Sequence, residues 1–287
     1  MSKDKPPGAV MIDPKIESLL GAVMAKIDHS VLGQTATEKE VYEGAQIALL
    51  RQVAAFCVKP SHVAFARKTL SSLFDLNQAD PATKKPANKD GSEERIAPLE
   101  LPAICTVVGF PHGANCTEIK LAETALALEQ GATEIDMVVN LGDVHQGAWE
   151  AIGHEIASMT ERVHQHERPF GSLPLLKVIF ETTYLKDSQI RHLAEICADC
   201  QVDYVKTSTG FDYIRNQQTG RVEKPGATSR VVALMREICQ GNPRIKASGG
   251  ITTWKKVNQF LGAGADRIGT SATEAIYQQG LKVLGAR

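Results

Sequence analysis

Two lysines stand where apolar, strand-like runs end, and a lysine in such a position can act as a nucleophile. Lys206 closes the run DYVK and is followed by TSTG, while Lys246 closes RIK and is followed by ASGG. A neutral lysine attacks carbonyl carbon, and a neighbouring cation is one way to obtain that neutral form. The two positions therefore predict covalent chemistry on a carbonyl compound.

The spacing of these lysines decides whether they interact. On adjacent parallel strands, about 4.8 Å apart, their amino groups would lie within roughly 6 Å of each other. With an effective dielectric near 20, two ammonium groups at that distance repel by about 2.8 kcal/mol, which is about two pKa units. The alternative for either lysine alone is a strand-end residue that reaches water or pairs with an acid. Two of them on adjacent strands, each followed by Ser and Gly, favour the catalytic interpretation.

Asp136 is the third candidate, because it is the only charged residue within the apolar run IDMVV. A carboxylate in such surroundings needs a cationic or hydrogen-bonding partner, and both lysines are available. It could relay protons during imine formation and carbon acid chemistry. A purely structural ion pair is equally compatible with the spacing.

Three short segments rich in hydroxyls and glycine predict an anion site. TSTG (207–210), SGG (248–250) and GTS (269–271) each follow a strand-like run. Glycine allows backbone N–H groups to approach an anion closely, and barrel enzymes often bind phosphate in the loops after their last strands. The candidate binding residues are Thr207, Gly210, Gly249, Gly250, Gly269 and Ser271.

The elements that would position these residues form a regular alternation along the chain. Eight apolar runs are separated by segments with helical periodicity, some with start signals such as Thr37 and Glu40. The runs are AKIDHS (25–30), AFCVKP (55–60), AICTVVGF (103–110), EIDMVVN (134–140), LLKVIFE (175–181), DYVKTST (203–209), RIKASGG (244–250) and DRIGTS (266–271). Strand and helix alternation implies parallel pairing, and eight units predict an α/β protein with a (β/α)₈ TIM barrel, preceded by an N-terminal helix.

The domain organisation follows from the same count. We expect one barrel domain over 1–287, with a flexible N-terminus at 1–12 and a polar insertion at about 77–102 that carries no catalytic residue. The segments GATEIDMVV (131–139) and GADRIGTSA (264–272) share an entry from helix into strand, which supports repeated units. A doubly wound open sheet is the alternative, but no G-x-G-x-x-G follows the first strand.

Composition excludes several classes of partner. A net charge of -1 and 23% charged residues indicate no general affinity for nucleic acid or anionic membrane. We expect a cytoplasmic protein, since no apolar run resembles a signal peptide or membrane span. Its six cysteines are expected to be reduced, and Cys197 and Cys200 are interpreted as two helical thiols rather than a metal or redox pair.

The motifs together resemble those of the deoxyribose-phosphate aldolases, which are class I, metal-independent enzymes. The matching segments are KIDHSVL (26–32), CTVVGFPHGA (105–114), EIDMVVNLG (134–142), LKVIFET (176–182), YVKTSTGF (204–211), KASGGI (246–251) and AGADRIGTS (263–271). They occur in the family's order over nearly the whole chain. Departures include IDHSVL for IDHTLL, FPHGA for FPLGA, and an end, LKVLGAR, without the tyrosine that assists proton transfer in some members.

This resemblance implies reversible cleavage of 2-deoxy-D-ribose 5-phosphate to D-glyceraldehyde 3-phosphate and acetaldehyde, in deoxynucleoside catabolism. It implies that Lys206 forms the Schiff base, that Asp136 relays protons and that Lys246 perturbs the pKa of Lys206. It implies phosphosugar and aldehyde substrates, no metal and no cofactor; a homodimer is compatible with it. Two alternatives remain: a barrel enzyme with pyridoxal phosphate on a lysine, and a phosphosugar sensor without turnover.

Overall fold

Eight parallel strands close into a barrel in the computed structural model, which describes residues 13–79, 100–166, 173–216 and 218–285. The barrel strands are β1 (Ile27–Val31), β2 (Ala55–Val58), β3 (Ala103–Val108), β4 (Glu134–Val138), β5 (Leu175–Ile179), β6 (Tyr204–Lys206), β9 (Arg244–Ser248) and β10 (Arg267–Thr270). Their order around the barrel is β1-β10-β9-β6-β5-β4-β3-β2. Seven of the predicted apolar runs contain one of these strands in full, and the run 25–30 covers β1 except Val31. Closure excludes the open sheet.

Helices connect the strands, as parallel pairing requires. They are α1 (Pro14–Met24), α2 (Glu38–Leu50), α3 (Val63–Ala79), α4 (Thr117–Glu129), α5 (Leu141–Gln146), α6 (Trp149–His164), α7 (Asp187–Asp199), α8 (Ser229–Cys239), α9 (Trp254–Gly262) and α10 (Thr273–Leu284). Short 3₁₀ turns cover Pro60–His62 and Thr182–Tyr184. The predicted N-terminal helix is α1, and the predicted capping box at Thr37 and Glu40 starts α2.

An exposed hairpin was not predicted. Strands β7 (Ile214–Arg215) and β8 (Val222–Glu223) pair antiparallel between β6 and α8. Each strand has only two residues, and both are exposed, so neither strand has the apolar alternation by which buried strands are recognised.

The predicted flexible N-terminus at 1–12 lies outside the described residues, and so does most of the predicted insertion at 77–102. Its first residues, 77–79, continue α3, and residues 100–102 lead into β3. Cys197 lies within α7 and Cys200 caps it, and the six cysteines are free thiols in the structure. Within the described ranges, the structure contains no helix with the length and apolarity needed to cross a bilayer.

The strands alternate between an outer apolar layer and the barrel interior, because successive side chains of a strand point to opposite faces. Phe56 and Val58 of β2 belong to the large core between strands and helices. Ala55 and Cys57 belong to a small inner cluster with Cys105 and neighbouring β3 residues. The rest of the interior, towards β1, β4, β5, β6, β9 and β10, contains charged side chains, and these build the site.

Candidate active site

The carboxyl ends of the barrel strands surround a cavity of about 300 Å³. Both predicted lysines line it, together with five of the six predicted anion-binding residues. The lining side chains and glycines relevant here are Asp28, Cys57, Lys206, Thr209, Gly210, Phe211, Lys246, Ser248, Gly249, Gly250, Gly269 and Ser271. The cavity is at the small end of the range for ligand pockets.

Lys206 and Lys246 are register partners on the neighbouring strands β6 and β9, as the sequence predicted. Both are almost fully buried, with 3% and 1% of their surface exposed. Each donates to the same oxygen of Asp136: the Nζ atoms of Lys206 and Lys246 both lie 2.7 Å from Oδ2. The three predicted catalytic residues therefore form one contact group, with Asp136 fully buried beneath the cavity.

Four further charged residues surround this group, and the catalytic assignment from sequence did not include them. Lys177 of β5 is fully buried and donates to the other oxygen of Asp136, Oδ1, at 2.8 Å. It also lies 2.5 Å from Glu134 Oε2 and 3.6 Å from Asp28 Oδ2. Arg267 of β10 pairs with Asp28 at 2.5 Å and with Glu134 at 3.1 Å. Opposite charges thus alternate across the barrel interior.

Attraction within this network determines the direction of several pKa shifts. Burial disfavours the charge on Lys246, but Asp136 and Asp28 outweigh burial and raise the pKa of Lys246. Burial likewise opposes the charge on Lys177, but the carboxylates of Asp136, Glu134 and Asp28 raise the pKa of Lys177 well above its usual value. Burial opposes ionisation of Asp136 too, yet the three lysines hold its pKa well below the usual range. Lys177, Lys246 and Asp136 are therefore charged near neutral pH.

This arrangement changes the electrostatic argument made from sequence. Direct repulsion between Lys206 and Lys246 was expected, but a shared carboxylate oxygen lies in contact with both ammonium groups. Lys246 can therefore carry a stable charge beside Lys206.

Glycines line the cavity wall at the positions where the sequence predicted an anion site. Gly249 has a φ of +96°, and a Cβ there would lie 2.9 Å from the backbone of Gly226 and 3.2 Å from Ser208. At Gly269, a Cβ would lie 3.2 Å from Cε of Lys246, so a side chain would press on that lysine. Only glycine permits both the backbone conformation at Gly249 and this close packing.

Thr207 differs from the other predicted binding residues. It is fully buried and does not line the cavity. Its hydroxyl donates to the carbonyl oxygen of Ser248 at 3.1 Å and accepts from the Ser248 N–H at 3.0 Å. The geometry gives Thr207 a different task from the predicted substrate contact: it fastens β6 to β9 directly behind the two lysines.

Glu181 supports the loop after β6 from the end of β5. It is buried, and its carboxylate accepts from the N–H of Thr209 at 3.1 Å and from the Thr209 hydroxyl. Asp212, further along this loop, accepts from Thr183 at 2.6 Å and from the N–H of Gly226 at 2.9 Å. These contacts hold the 207–212 loop at the cavity wall.

Potential metal ligands also occur in the interior. Among the described residues, two sets have oxygen or sulfur atoms close enough to share an ion, namely Cys57, Cys105 and Asp136, and Asp28, Cys105 and Glu134. Lys177 Nζ already lies 3.4 Å from Cys105 and contacts carboxylates of both sets. A metal ion would have to displace this ammonium group, so the chemistry of the donor set favours lysine here.

Comparison with known proteins places this geometry in a family. Residues 22–279 match the model of the DeoC/LacD family of aldolases. A deoxyribose-phosphate aldolase of Crocosphaera subtropica is 36% identical over 252 residues, which is 88% of this chain and 92% of that protein.

Two solved structures have the same fold. The structure of QR15, an aldolase, is 29% identical with a TM-score of 0.70, covering 91% of this chain and 96% of that chain. A tetrameric deoxyribose-phosphate aldolase from Aeropyrum pernix is 24% identical with a TM-score of 0.66, covering 92% of both chains. At 24% identity, the similarity to this second structure shows a shared fold and nothing more. From the family match, the sequence relatives and the barrel with its lysine-lined cavity, we conclude that this chain belongs to the DeoC/LacD family of aldolases.

Proposed function

We propose that this protein is a 2-deoxy-D-ribose-5-phosphate aldolase that acts through a Schiff base on Lys206. The observation that carries the proposal is the position of Lys206: it lines the cavity and contacts Asp136, while glycine-rich backbone lies along the same wall. A phosphorylated aldehyde matches these two ends, since one end supplies a nucleophilic amine and the other supplies N–H donors for an anion. Relatives named deoxyribose-phosphate aldolase support the same substrate.

The first half of the reaction is imine formation. Neutral Lys206 attacks C1 of the open-chain sugar phosphate to give a carbinolamine. A proton from Lys246, delivered directly or through water, converts its hydroxyl into departing water and leaves a protonated imine. This cation accepts the electron pair of the C2–C3 bond when the C3 hydroxyl gives up its proton. The C2–C3 bond breaks, D-glyceraldehyde 3-phosphate leaves, and an enamine of two carbons stays on Lys206.

The second half releases acetaldehyde. The enamine takes a proton at its terminal carbon, and water then hydrolyses the imine to free Lys206. We assign the proton transfers to Asp136 and Lys246, because Asp136 contacts both lysines at 2.7 Å. Asp136 itself does not line the cavity, so a water molecule or Lys246 has to carry the proton between it and the substrate.

Borohydride trapping tests the proposal. Protein incubated with acetaldehyde and sodium borohydride should gain a reduced two-carbon adduct on Lys206, located by peptide mass mapping. Lys206→Arg keeps a positive charge but cannot form an imine, so it should give no adduct at that position and no cleavage of deoxyribose 5-phosphate. Cleavage is followed by the release of glyceraldehyde 3-phosphate.

Other outcomes would contradict the proposal in different ways. An adduct on Lys246 alone would overturn the assignment of the nucleophile, and no adduct would end the imine mechanism. A yellow protein with visible absorbance would indicate pyridoxal phosphate instead. Binding of the sugar phosphate without turnover would favour a sensor.

The cellular setting is part of the proposal. Cleavage of deoxyribose 5-phosphate would serve the breakdown of deoxynucleosides, in the cytoplasm, where free thiols such as the six cysteines here are stable. A homodimer stays a prediction, which light scattering of the purified protein would test.

A further inference from the structure

The positive and negative charges of the side chains at the base of the cavity are unequal in number. We call them the lumen cluster. It contains three carboxylates and four cations, all within one connected set of ion pairs: Asp28, Glu134, Asp136, Lys177, Lys206, Lys246 and Arg267. With every member ionised, the cluster carries one surplus positive charge. A buried surplus charge is costly, and loss of one proton removes it.

The number of carboxylate partners indicates which lysine gives up that proton. Lys177 lies within ion-pair distance of all three carboxylates, at 2.5, 2.8 and 3.6 Å. Lys246 has two partners, Asp28 at 2.5 Å and Asp136 at 2.7 Å. Lys206 has one, Asp136 at 2.7 Å, which it shares with both other lysines. The least compensated ammonium group of the cluster therefore belongs to Lys206, the residue that lines the cavity.

Other titratable groups near the lumen cluster do not supply the missing negative charge through ion pairs. Burial raises the pKa of the Cys105 thiol and of the Tyr204 phenol, so both are neutral. Cys57 lies in the apolar inner cluster with Ala55, Cys105 and Val107, although a hydrogen bond from Cys105 lowers its pKa. Glu181 accepts from Thr209 and, among the described residues, has no ion pair with the four cations. All four of these titratable residues stay unchanged in the variants below.

We propose that Lys177 is a positioning residue that makes Lys206 nucleophilic. Its ammonium group occupies the carboxylates and supplies the surplus positive charge of the lumen cluster. Only loss of the Lys206 proton relieves that surplus. The inference rests on the proposed Schiff-base function. Lys177 lies on β5 and does not line the cavity. The inference gives it a part in activating Lys206, whereas the spacing in the sequence had suggested Lys246 for that part.

The pH dependence of Lys177→Met tests this role. Removal of one cation balances the cluster at three against three, so Lys206 should keep its proton to higher pH. The acidic limb of the kcat/KM profile should move up by about one to two pH units, which corresponds to the loss of one charge about 6 Å away at an effective dielectric near 20. Activity at pH 7 should fall about 10- to 100-fold and recover at alkaline pH.

Two companion variants separate charge from structure. Lys177→Met combined with Glu134→Gln restores the surplus of one positive charge, so its acidic limb should return towards that of the wild type. Glu134→Gln alone raises the surplus, and its limb should move to lower pH. Borohydride trapping with acetaldehyde across the same pH range should show the same three displacements, and thermal unfolding reports whether each variant is folded.

If Lys177→Met is slower at all pH values but the acidic limb of its kcat/KM profile does not move, the inference is overturned and Lys177 is a structural residue. The inference is also overturned if the double variant Lys177→Met with Glu134→Gln is folded but its acidic limb lies at the same pH as that of Lys177→Met. Should Lys177→Met fail to fold, the direction of the Glu134→Gln shift decides. A wild-type protein that forms no imine would instead refute the proposed function.

Discussion

Glu181 combines two uncommon features for a glutamate. Its φ is +53°, in the left-handed region, and its side chain is buried. Burial is the main cause that raises its pKa to about 7, although the hydrogen bonds from Thr209 oppose the shift. The carboxyl therefore titrates near neutral pH while it holds the loop that carries Gly210 at the cavity wall.

The stability of the protein should reflect this titration. Because the pKa of Glu181 is higher in the folded than in the unfolded chain, its contribution is fully present below about pH 4.5 and is lost as pH rises through 7. Glu181→Gln cannot ionise. Between pH 4.5 and 8, the free energy of unfolding of the wild type should therefore fall relative to this variant by about 3 kcal/mol, measured by urea unfolding.

Glu150→Gln is the matched control, because Glu150 is exposed on α6 and water solvates its carboxyl in both states. It should leave the pH dependence of the wild type unchanged. Parallel curves for the wild type and Glu181→Gln would contradict the assigned titration of Glu181.

At the residue scale, sequence analysis predicted the side chains at strand ends and missed those deeper in the lumen. Lys206 and Lys246 follow from the rule that functional groups gather at the carboxyl ends of barrel strands, and Asp136 follows from its isolated charge in an apolar run. Lys177 stands in the middle of LLKVI, where an isolated charge in an apolar run was the available signal. Glu134 and Arg267 occupy equivalent positions of the repeated segments 131–139 and 264–272, and their opposite charges could have suggested a pair.

At the element scale, two connecting loops meet at the glycine-rich wall of the cavity. Gly226, in the connection after β8, has a φ of +59°, and a Cβ there would lie 2.4 Å from the carbonyl oxygen of Gly249. The N–H of Ala227 donates to that same oxygen at 3.3 Å. The long segment after β6 thus positions the loop after β9, which lines the cavity.

Gly226→Ala should weaken substrate binding, an effect that backbone strain at residue 226 alone would not produce. The methyl group would displace Gly249, so KM for deoxyribose 5-phosphate should rise about tenfold or more, with stability lowered by more than about 1 kcal/mol. Steady-state kinetics and thermal unfolding measure both effects.

Gly220→Ala is the control for this prediction. Gly220 has a similar φ of +67°, but a Cβ there meets nothing within 4 Å. Its stability cost should be about 1 kcal/mol, from backbone strain alone, with KM unchanged. Equal KM values for the two alanine variants would contradict the proposed contact between the loops.

Elements were predictable in proportion to their burial. The eight barrel strands are buried and apolar, so their runs were visible in the sequence. The β7–β8 hairpin has no buried face and was missed for that reason. The contact of Gly226 with Gly249 joins residues from separate connections, which local patterns do not report.

At the scale of the whole molecule, the pH dependence of folding depends on buried groups that must change charge on unfolding. His29 on β1 is buried against Phe56 and bonded to Thr273 at 2.8 Å, and burial lowers its pKa to about 4. Attraction to cations also holds the pKa of Asp28 below its usual value against burial. Both groups make the folded protein less stable in acid.

His29→Asn should reduce the acid sensitivity of the protein. Because the folded pKa of His29 is depressed, its contribution is fully present above about pH 6.5 and is lost as pH falls through 4. The drop in the free energy of unfolding between pH 7 and pH 4 should be smaller in the variant by about 3 kcal/mol. His154→Asn, at an exposed position of α6, should leave the drop unchanged. An equal drop in His29→Asn and the wild type would contradict the prediction.

The barrel as a whole was predictable because eight similar units repeat along the chain, and eight parallel strands with helices close naturally. The numbers of positive and negative side chains that meet in the barrel interior were not predictable in the same way. It depends on which side chains of six strands meet across the lumen, and strand register had to be known first.

The pair between Asp28 and Arg267 spans the junction of β1 and β10, where the first and last barrel strands meet. The first five members of the lumen cluster along the chain carry more negative than positive charge, and the last two, Lys246 and Arg267, are both cations. No shorter stretch of the chain ending before β10 can contain the complete set. Assembly of the lumen cluster is therefore inseparable from closure of the ring, and a chain still emerging from the ribosome completes this set of charges only after its last strand has joined its first.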